Sequence, residues 1–184
     1  MHQNIDIYKK QKAIVVDEFK KNINNSFKNN VVFAFLCGSF AMGKSTSKSD
    51  IDILVCLKKR DMKMEEMFLK WYFYIHEKTG HIPDHIYNYE VCNQNQLNLF
   101  LTYVEKAVPT IKINSLRIYT GIVLAGMLSS TAIGFIGDHK KYLPFRKRAH
   151  EITKRWKQQT LKFLSVMDTN SFLRRVIIYE RDSI

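Results

Sequence analysis

Apolar residues return at Tyr8, Val15, Phe19 and Ile23, the spacing of one helical face, and predict a first helix over residues 4 to 24, ended by Asn24-Asn25. The period then changes. VVFAFLC, residues 31 to 37, is a short unbroken apolar run between Asn29-Asn30 and Gly38, and IDILVCL, residues 51 to 57, is a second; both read as buried strands. Met64, Met67, Phe68, Trp71, Tyr74 and Ile75 recur at threes and fours, predicting a helix that ends at Thr79-Gly80. HIPDHIYNYEV alternates and is rich in aromatic and β-branched residues, a third strand over about 82 to 91. From residue 94 the pattern predicts helices alone, over 94 to 107, 115 to 129 and 144 to 168, the last opened by Pro144. The expected fold is α/β or α+β, a small mixed sheet flanked by helices and followed by an all-helical C-terminal region. The boundary falls at Val108-Pro109, giving a core over 1–108 and a helical region over 109–184.

Composition changes this picture little. At 184 residues and 46% hydrophobic, the chain suffices for one sizeable core. The 20 uncharged residues between Arg117 and Asp138 approach a membrane span, but Gly121, Gly126, Gly134, Gly137 and Ser129-Ser130-Thr131 break them into a buried helix and a turn. Cys37, Cys56 and Cys92 are dispersed, and two lie within apolar runs, which suits reduced thiols. With no apolar leader in MHQNIDIYKKQK, a cytoplasmic location and no membrane are expected. The net charge of +12 favours anionic partners, nucleotides or nucleic acid among them. In the last helix Phe145, Ala149, Ile152, Trp156, Phe163 and Met167 form one stripe beside Arg146, Lys147, Arg148, Lys154, Arg155 and Lys157, the pattern of an amphipathic helix with solvated charges or of a basic wall toward a nucleotide or RNA.

Candidate chemistry concentrates in GSFAMGKSTSKSDIDILV, Gly38 to Val55. Strand alternation puts Asp50 and Asp52 on one side, about 7 Å apart, and Ile51 and Ile53 on the other. Two carboxylates on one face suit a hard cation. Gly38 permits close backbone approach to a phosphate, Ser39 offers a hydroxyl and an N–H where a short helix can start, and Lys44 and Lys48 add charge. A turn capped by Ser-Asp explains one of the two Asp residues but not a second inside an apolar strand.

An apolar strand, Gly38-Ser39, a loop and an Asp50-x-Asp52 strand resemble the signature of the DNA polymerase β-like nucleotidyltransferase superfamily, over residues 31 to 91. The resemblance implies transfer of a nucleoside monophosphate, with AMP favoured, from an NTP such as ATP to a hydroxyl acceptor, pyrophosphate being released. It implies Mg²⁺ as two ions, with Mn²⁺ equally suited, on Asp50, Asp52 and a third carboxylate, and a triphosphate site at Gly38, Ser39, Gly43 and Lys44. Asp84 is the preferred third carboxylate because it sits near the start of its strand; Glu90, on the same face, is second. Pro83 and His85 beside Asp84 depart from the aliphatic neighbours the signature has. Acceptors in the superfamily include small molecules such as antibiotics, proteins and RNA; the short chain favours the first two, and the helical C-terminal region is where an acceptor would bind. A nucleotide-binding protein of the same fold without turnover is the alternative.

Gly38 to Ser45 also spells G-x-x-x-x-G-K-S, the motif of a P-loop NTPase or kinase, in which Lys44 and Ser45 would meet phosphate and magnesium. That motif requires a long helix directly after Ser45, and the strand predicted from Ile51 leaves no room for one. His81, His85 and Cys92 are too few for a zinc site, and Pro83 prevents the helix that would align the histidines.

Overall fold

A computed structural model describes residues 2–46, 49–83, 90–107 and 116–164. In chain order it contains α1 (His2–Phe27), β1 (Val31–Leu36), a short α2 (Gly38–Ala41), β2 (Ile53–Leu57), α3 (Met62–Thr79), β3 (Val91–Asn93), α4 (Gln94–Ala107), α5 (Leu116–Ser129), β4 (Ile133–Gly137) and α6 (His139–Leu164). The strands form one mixed sheet in the order β3-β2-β1-β4. β1 is antiparallel to β2 and β4, and β2 is parallel to β3.

Helices cover both faces of the sheet, so β1 and β2 are apolar on both sides, as their unbroken runs require. Alternation sorts the side chains. Ala34, Leu36, Ile53, Val55 and Leu57 meet Val15, Phe19 and Ile23 of α1 and Phe68, Trp71 and Ile75 of α3. Phe33, Phe35, Leu54, Cys56 and Cys92 meet α4, α5 and α6 through Leu97, Leu101, Leu124, Leu128, Tyr142 and Phe145. Local signals set the ends. Asp61 caps α3 by accepting from the Met64 N–H at 2.9 Å, and Gly80 closes it in the left-handed region at φ +69.

The structure corrects several expectations. Among the described residues beyond 94, the helices are interrupted by β4, which joins the sheet as an edge strand. Gly134 and Gly137 mask that strand as a turn, yet both hold positive φ, and a Cβ at Gly137 would collide with the backbone of Val32 and Phe33. The last helix begins at His139 instead of Pro144, because the Asp138 carboxylate accepts from the Lys140 N–H at 2.8 Å and its carbonyl from the Tyr142 N–H at 3.1 Å. Pro144 therefore lies inside α6, at the cost of one helical hydrogen bond. On α3 the buried face is Phe68, Trp71, Tyr72, Ile75 and His76, and Tyr74 is exposed. Of the strand expected over 82–91, Ile82 and Pro83 are without regular structure and residues 84–89 lie outside the described residues, while β3 runs from Val91 to Asn93. Phe163 and Met167 also fall beyond the side chains described, whereas Phe145, Ala149 and Ile152 are buried as their spacing predicts. Among the described residues no helix is long and apolar enough to cross a membrane.

Candidate active site

The chain leaves β1 at Cys37, turns sharply at Gly38 with φ +66, and enters the single turn of α2. Its first N–H groups have no partner within the helix. The Lys44 N–H donates to the Ser39 carbonyl at 2.9 Å and the Gly43 N–H to that of Phe40 at 3.2 Å, so the glycine loop folds back over α2. Lys12 of α1 donates from Nζ to the Ala41 carbonyl at 3.0 Å, fastening the far end of that turn. Thr46 and Ser49 close the next turn, with the Ser49 N–H 3.0 Å from the Thr46 carbonyl.

The chain returns through Asp50, Ile51 and Asp52. The Cys37 N–H donates to the Asp52 carbonyl at 2.9 Å, extending the β1–β2 pairing one step beyond the strands. Ile51 is fully buried on the α1–α3 side, while Asp50 and Asp52 are half-buried. By alternation they share the side of Leu54 and Cys56. The Asp52 carboxylate lies so tightly over the turn that a Cβ on Gly38 would fall within it. Any other residue at 38 would meet both that collision and the cost of positive φ.

Glu90 completes the acidic face. Val55 pairs with Val91 and Cys56 with Cys92, and the Val55 N–H donates to the Glu90 carbonyl at 2.7 Å. Continued by one residue, this register sets Glu90 beside Leu54 and diagonal to Asp52. The residue is only 3% exposed, and its Oε2 is buried without a hydrogen-bond partner among the described residues. Burial first, then the charges of Asp52 and Asp50, push its carboxyl up to about 9. Burial and two neighbouring carboxylates together disfavour the ionised form of this carboxyl, the mark of a clustered set of acidic oxygens. A divalent cation is the group whose chemistry satisfies that donor set. Among the described residues no three His, Cys, Asp or Glu side chains converge to hold an ion, so Asp50 and Asp52 form the pair and Glu90 stands within electrostatic reach. Asp84, the expected third carboxylate, lies outside the described residues, as does His85.

Three residues that the sequence does not assign to this site border the carboxylates. The Cys37 thiol is buried and pushed up by burial, then by Asp52 and Glu90, with a Ser130 hydrogen bond opposing. Ser130 follows α5, so the C-terminal region touches the site there. His81 lies edge-on to Phe40, 5.4 Å between centroids; burial lowers its pKa while Asp50 opposes. His76, fully buried on α3, accepts from the Ile51 N–H. Only the last had a detectable trace, a histidine four residues from an aromatic on an otherwise apolar helical face.

The Walker-like segment lacks its required context. Residues 44–46 and 49–52 have no helix, and β2 runs antiparallel to β1. A P-loop needs a helix after Lys44-Ser45 so that its N-terminus can hold phosphates.

Residues 21–105 match a family model described as Polymerase beta, Nucleotidyltransferase. That segment spans β1, the Gly38-Ser39 turn, the Asp50 and Asp52 pair, Glu90 and β3. No curated protein and no solved structure matches the chain.

Proposed function

Because the chain belongs to the polymerase β-like nucleotidyltransferase superfamily through residues 21–105, we propose that it transfers a nucleoside monophosphate, AMP in the first instance, from an NTP to a hydroxyl acceptor. The observation that carries the reading is the shared face of Asp50, Asp52 and Glu90 beside the Gly38-Ser39 turn, with a buried Glu90 oxygen that has no hydrogen-bond partner among the described residues. Gly38 and Ser39 receive the triphosphate through backbone N–H groups and the Ser39 hydroxyl, Gly43, whose own N–H is held by the Phe40 carbonyl, shapes the loop beside them, and Lys44 contributes charge. Asp50 and Asp52 hold Mg²⁺, or Mn²⁺ in its place. Two such ions would neutralise the phosphates and align the attacking and leaving oxygens.

The acceptor oxygen bonds to the α-phosphorus, the bond from that phosphorus to the oxygen leading to the β-phosphate breaks, and pyrophosphate leaves. The hydroxyl proton passes to the third carboxylate, which accepts it in the ionised form that a cation bound nearby would favour. We assign that role to Glu90 on its shared face, with Asp84 the competing candidate. The C-terminal region, which touches the site through Ser130, forms the acceptor wall. Its acceptor is a small molecule or a protein in preference to RNA, and the setting is cytoplasmic.

The test is thermal stabilisation by each of the four NTPs, with and without Mg²⁺, followed by assay of pyrophosphate release. Wild type is compared with Asp50→Ala/Asp52→Ala, Glu90→Ala, Asp84→Ala and Lys44→Ala. Metal-dependent stabilisation lost in the double variant is the expected result, and the Glu90 and Asp84 variants decide the third position. Stabilisation that survives the double variant but vanishes in Lys44→Ala would overturn the carboxylate mechanism. Metal-dependent binding without pyrophosphate release, across a panel of acceptors, would leave a nucleotide-binding protein instead of a transferase.

A further inference from the structure

We infer that His76 is a positioning residue, one that fixes the peptide between Asp50 and Asp52 and thereby sets where the two carboxylates point. The inference rests on the metal-binding reading of those carboxylates. His76 lies fully buried on α3, and both ring nitrogens are engaged: Nδ1 stands 2.8 Å from the Tyr72 carbonyl and Nε2 2.9 Å from the Ile51 backbone nitrogen. A carbonyl only accepts and an amide N–H only donates, so the proton must sit on Nδ1 and the lone pair on Nε2. The environment therefore selects one tautomer of the neutral ring, and burial, which holds the ring below its usual pKa range, acts in the same sense.

The bond falls where the strand pairing has ended. β2 starts at Ile53, and the last backbone link to β1 runs from Cys37 to the Asp52 carbonyl. Ahead of that link, only the short turn closed by Thr46 and Ser49 precedes Asp50 in the described chain. The Ile51 N–H belongs to the peptide unit joining Asp50 to Ile51, so a directional bond to Nε2 fixes the orientation of that unit. The Ile51 side chain, fully buried, points away from the acidic face. Asp50 and Asp52 are thus held on the opposite side, one by the peptide that His76 grips and one by the Cys37 link. A histidine buried only for packing would be satisfied by its own helix. This one reaches 25 residues upstream to the peptide flanked by the carboxylate pair. Asp61 and Gly80, which set the two ends of α3, fix the height at which His76 meets that peptide.

The experiment uses the full chain with Mn²⁺ as probe, its uptake followed by electron paramagnetic resonance. Wild type, His76→Leu and His76→Gln are compared, with Asp52→Ala as control and folding checked by circular dichroism. Leu fills the space without an acceptor; Gln offers a side-chain carbonyl to the Ile51 N–H. Loss of one directional bond to a buried amide is expected to weaken Mn²⁺ binding by roughly tenfold in His76→Leu, with Gln recovering most of it. Should the Leu variant fail to fold, His76→Asn, which keeps the polarity but is too short to reach Ile51, replaces it. Binding in the folded Leu or Asn variant within about threefold of wild type would overturn the inference, as would a Gln variant no better than Leu. Exchange of the Ile51 amide is read in parallel: slow in wild type and Gln, fast in Leu, with equal protection in all three again overturning it. A wild type that takes up no Mn²⁺ through Asp52 defeats the metal reading, and the amide measurement then decides the inference separately.

Discussion

The two faces of the sheet are made by the same strands and differ at one end only. On the α1–α3 side, Ile51, Ile53, Val55 and Leu57 continue the apolar surface to the start of β2, where it is closed by Phe68, Tyr72 and Ile75. On the α4–α6 side, the stripe of Leu54 and Cys56 gives way to Asp52 and Asp50, and that of Cys92 to Glu90. A single alternation therefore produces a face devoted to packing and a face whose upper end is acidic. Stability and chemistry are separated by the direction a side chain points, not by distance along the chain.

The sharpest way to break that separation is Asp50→Ala/Asp52→Ala. Metal contributes several kcal/mol of charge stabilisation to such a transfer, so turnover should fall by about a thousandfold or more, with a melting temperature near that of wild type. On the opposite face Phe19, fully buried and 5.7 Å from the Trp71 ring, should behave inversely. Phe19→Ala is expected to cost about 3–5 kcal/mol in denaturant unfolding, while each folded molecule binds nucleotide as before.

Glu90 sits where the two roles overlap, and pH exposes it. Its folded pKa near 9 lies above the ordinary carboxylate value of 4.5, so between those limits the folded chain keeps a proton that the unfolded chain has lost. Stability of the metal-free protein should therefore fall as pH rises through this window, by at most roughly 1.4 kcal/mol per unit. Glu90→Gln should flatten the slope, as measured by denaturation between pH 6 and 8, and Mg²⁺ should flatten it in wild type. The smallest effect belongs to Arg148, which joins α6 to Glu105 of α4 at 2.7 Å with both side chains partly exposed. Arg148→Ala is expected to cost up to about 1 kcal/mol, leaving nucleotide binding unchanged.

The separation was legible in the sequence wherever alternation was uninterrupted. Asp50 and Asp52 stand out because each is flanked by Ile51 or Ile53 in an apolar run, and Gly38 because it ends one. Glu90 is less plain: Pro83 and two histidines interrupt the pattern before it, and its place beside Leu54 rests on a strand pairing that spacing does not reveal. β4 is hidden by glycines that serve close approach to β1 yet read as a turn. His76 carries no local mark of its role, since its partner lies 25 residues away on another element.

The position of β4 also bears on the order in which the molecule is assembled. β1 finds β2 within a few tens of residues, but among the described residues its other edge is met by β4, with Phe33 opposite Gly137. On a ribosome, most of the chain must emerge before that edge can be covered. The nascent protein therefore carries a bare apolar strand edge until Gly137 has emerged, the situation in which one chain adds to another. Sheet closure thus depends on a non-local contact, of the kind that slows folding. Chains released before Gly137 should be found with chaperones or in aggregates, whatever the state of the carboxylates they already contain.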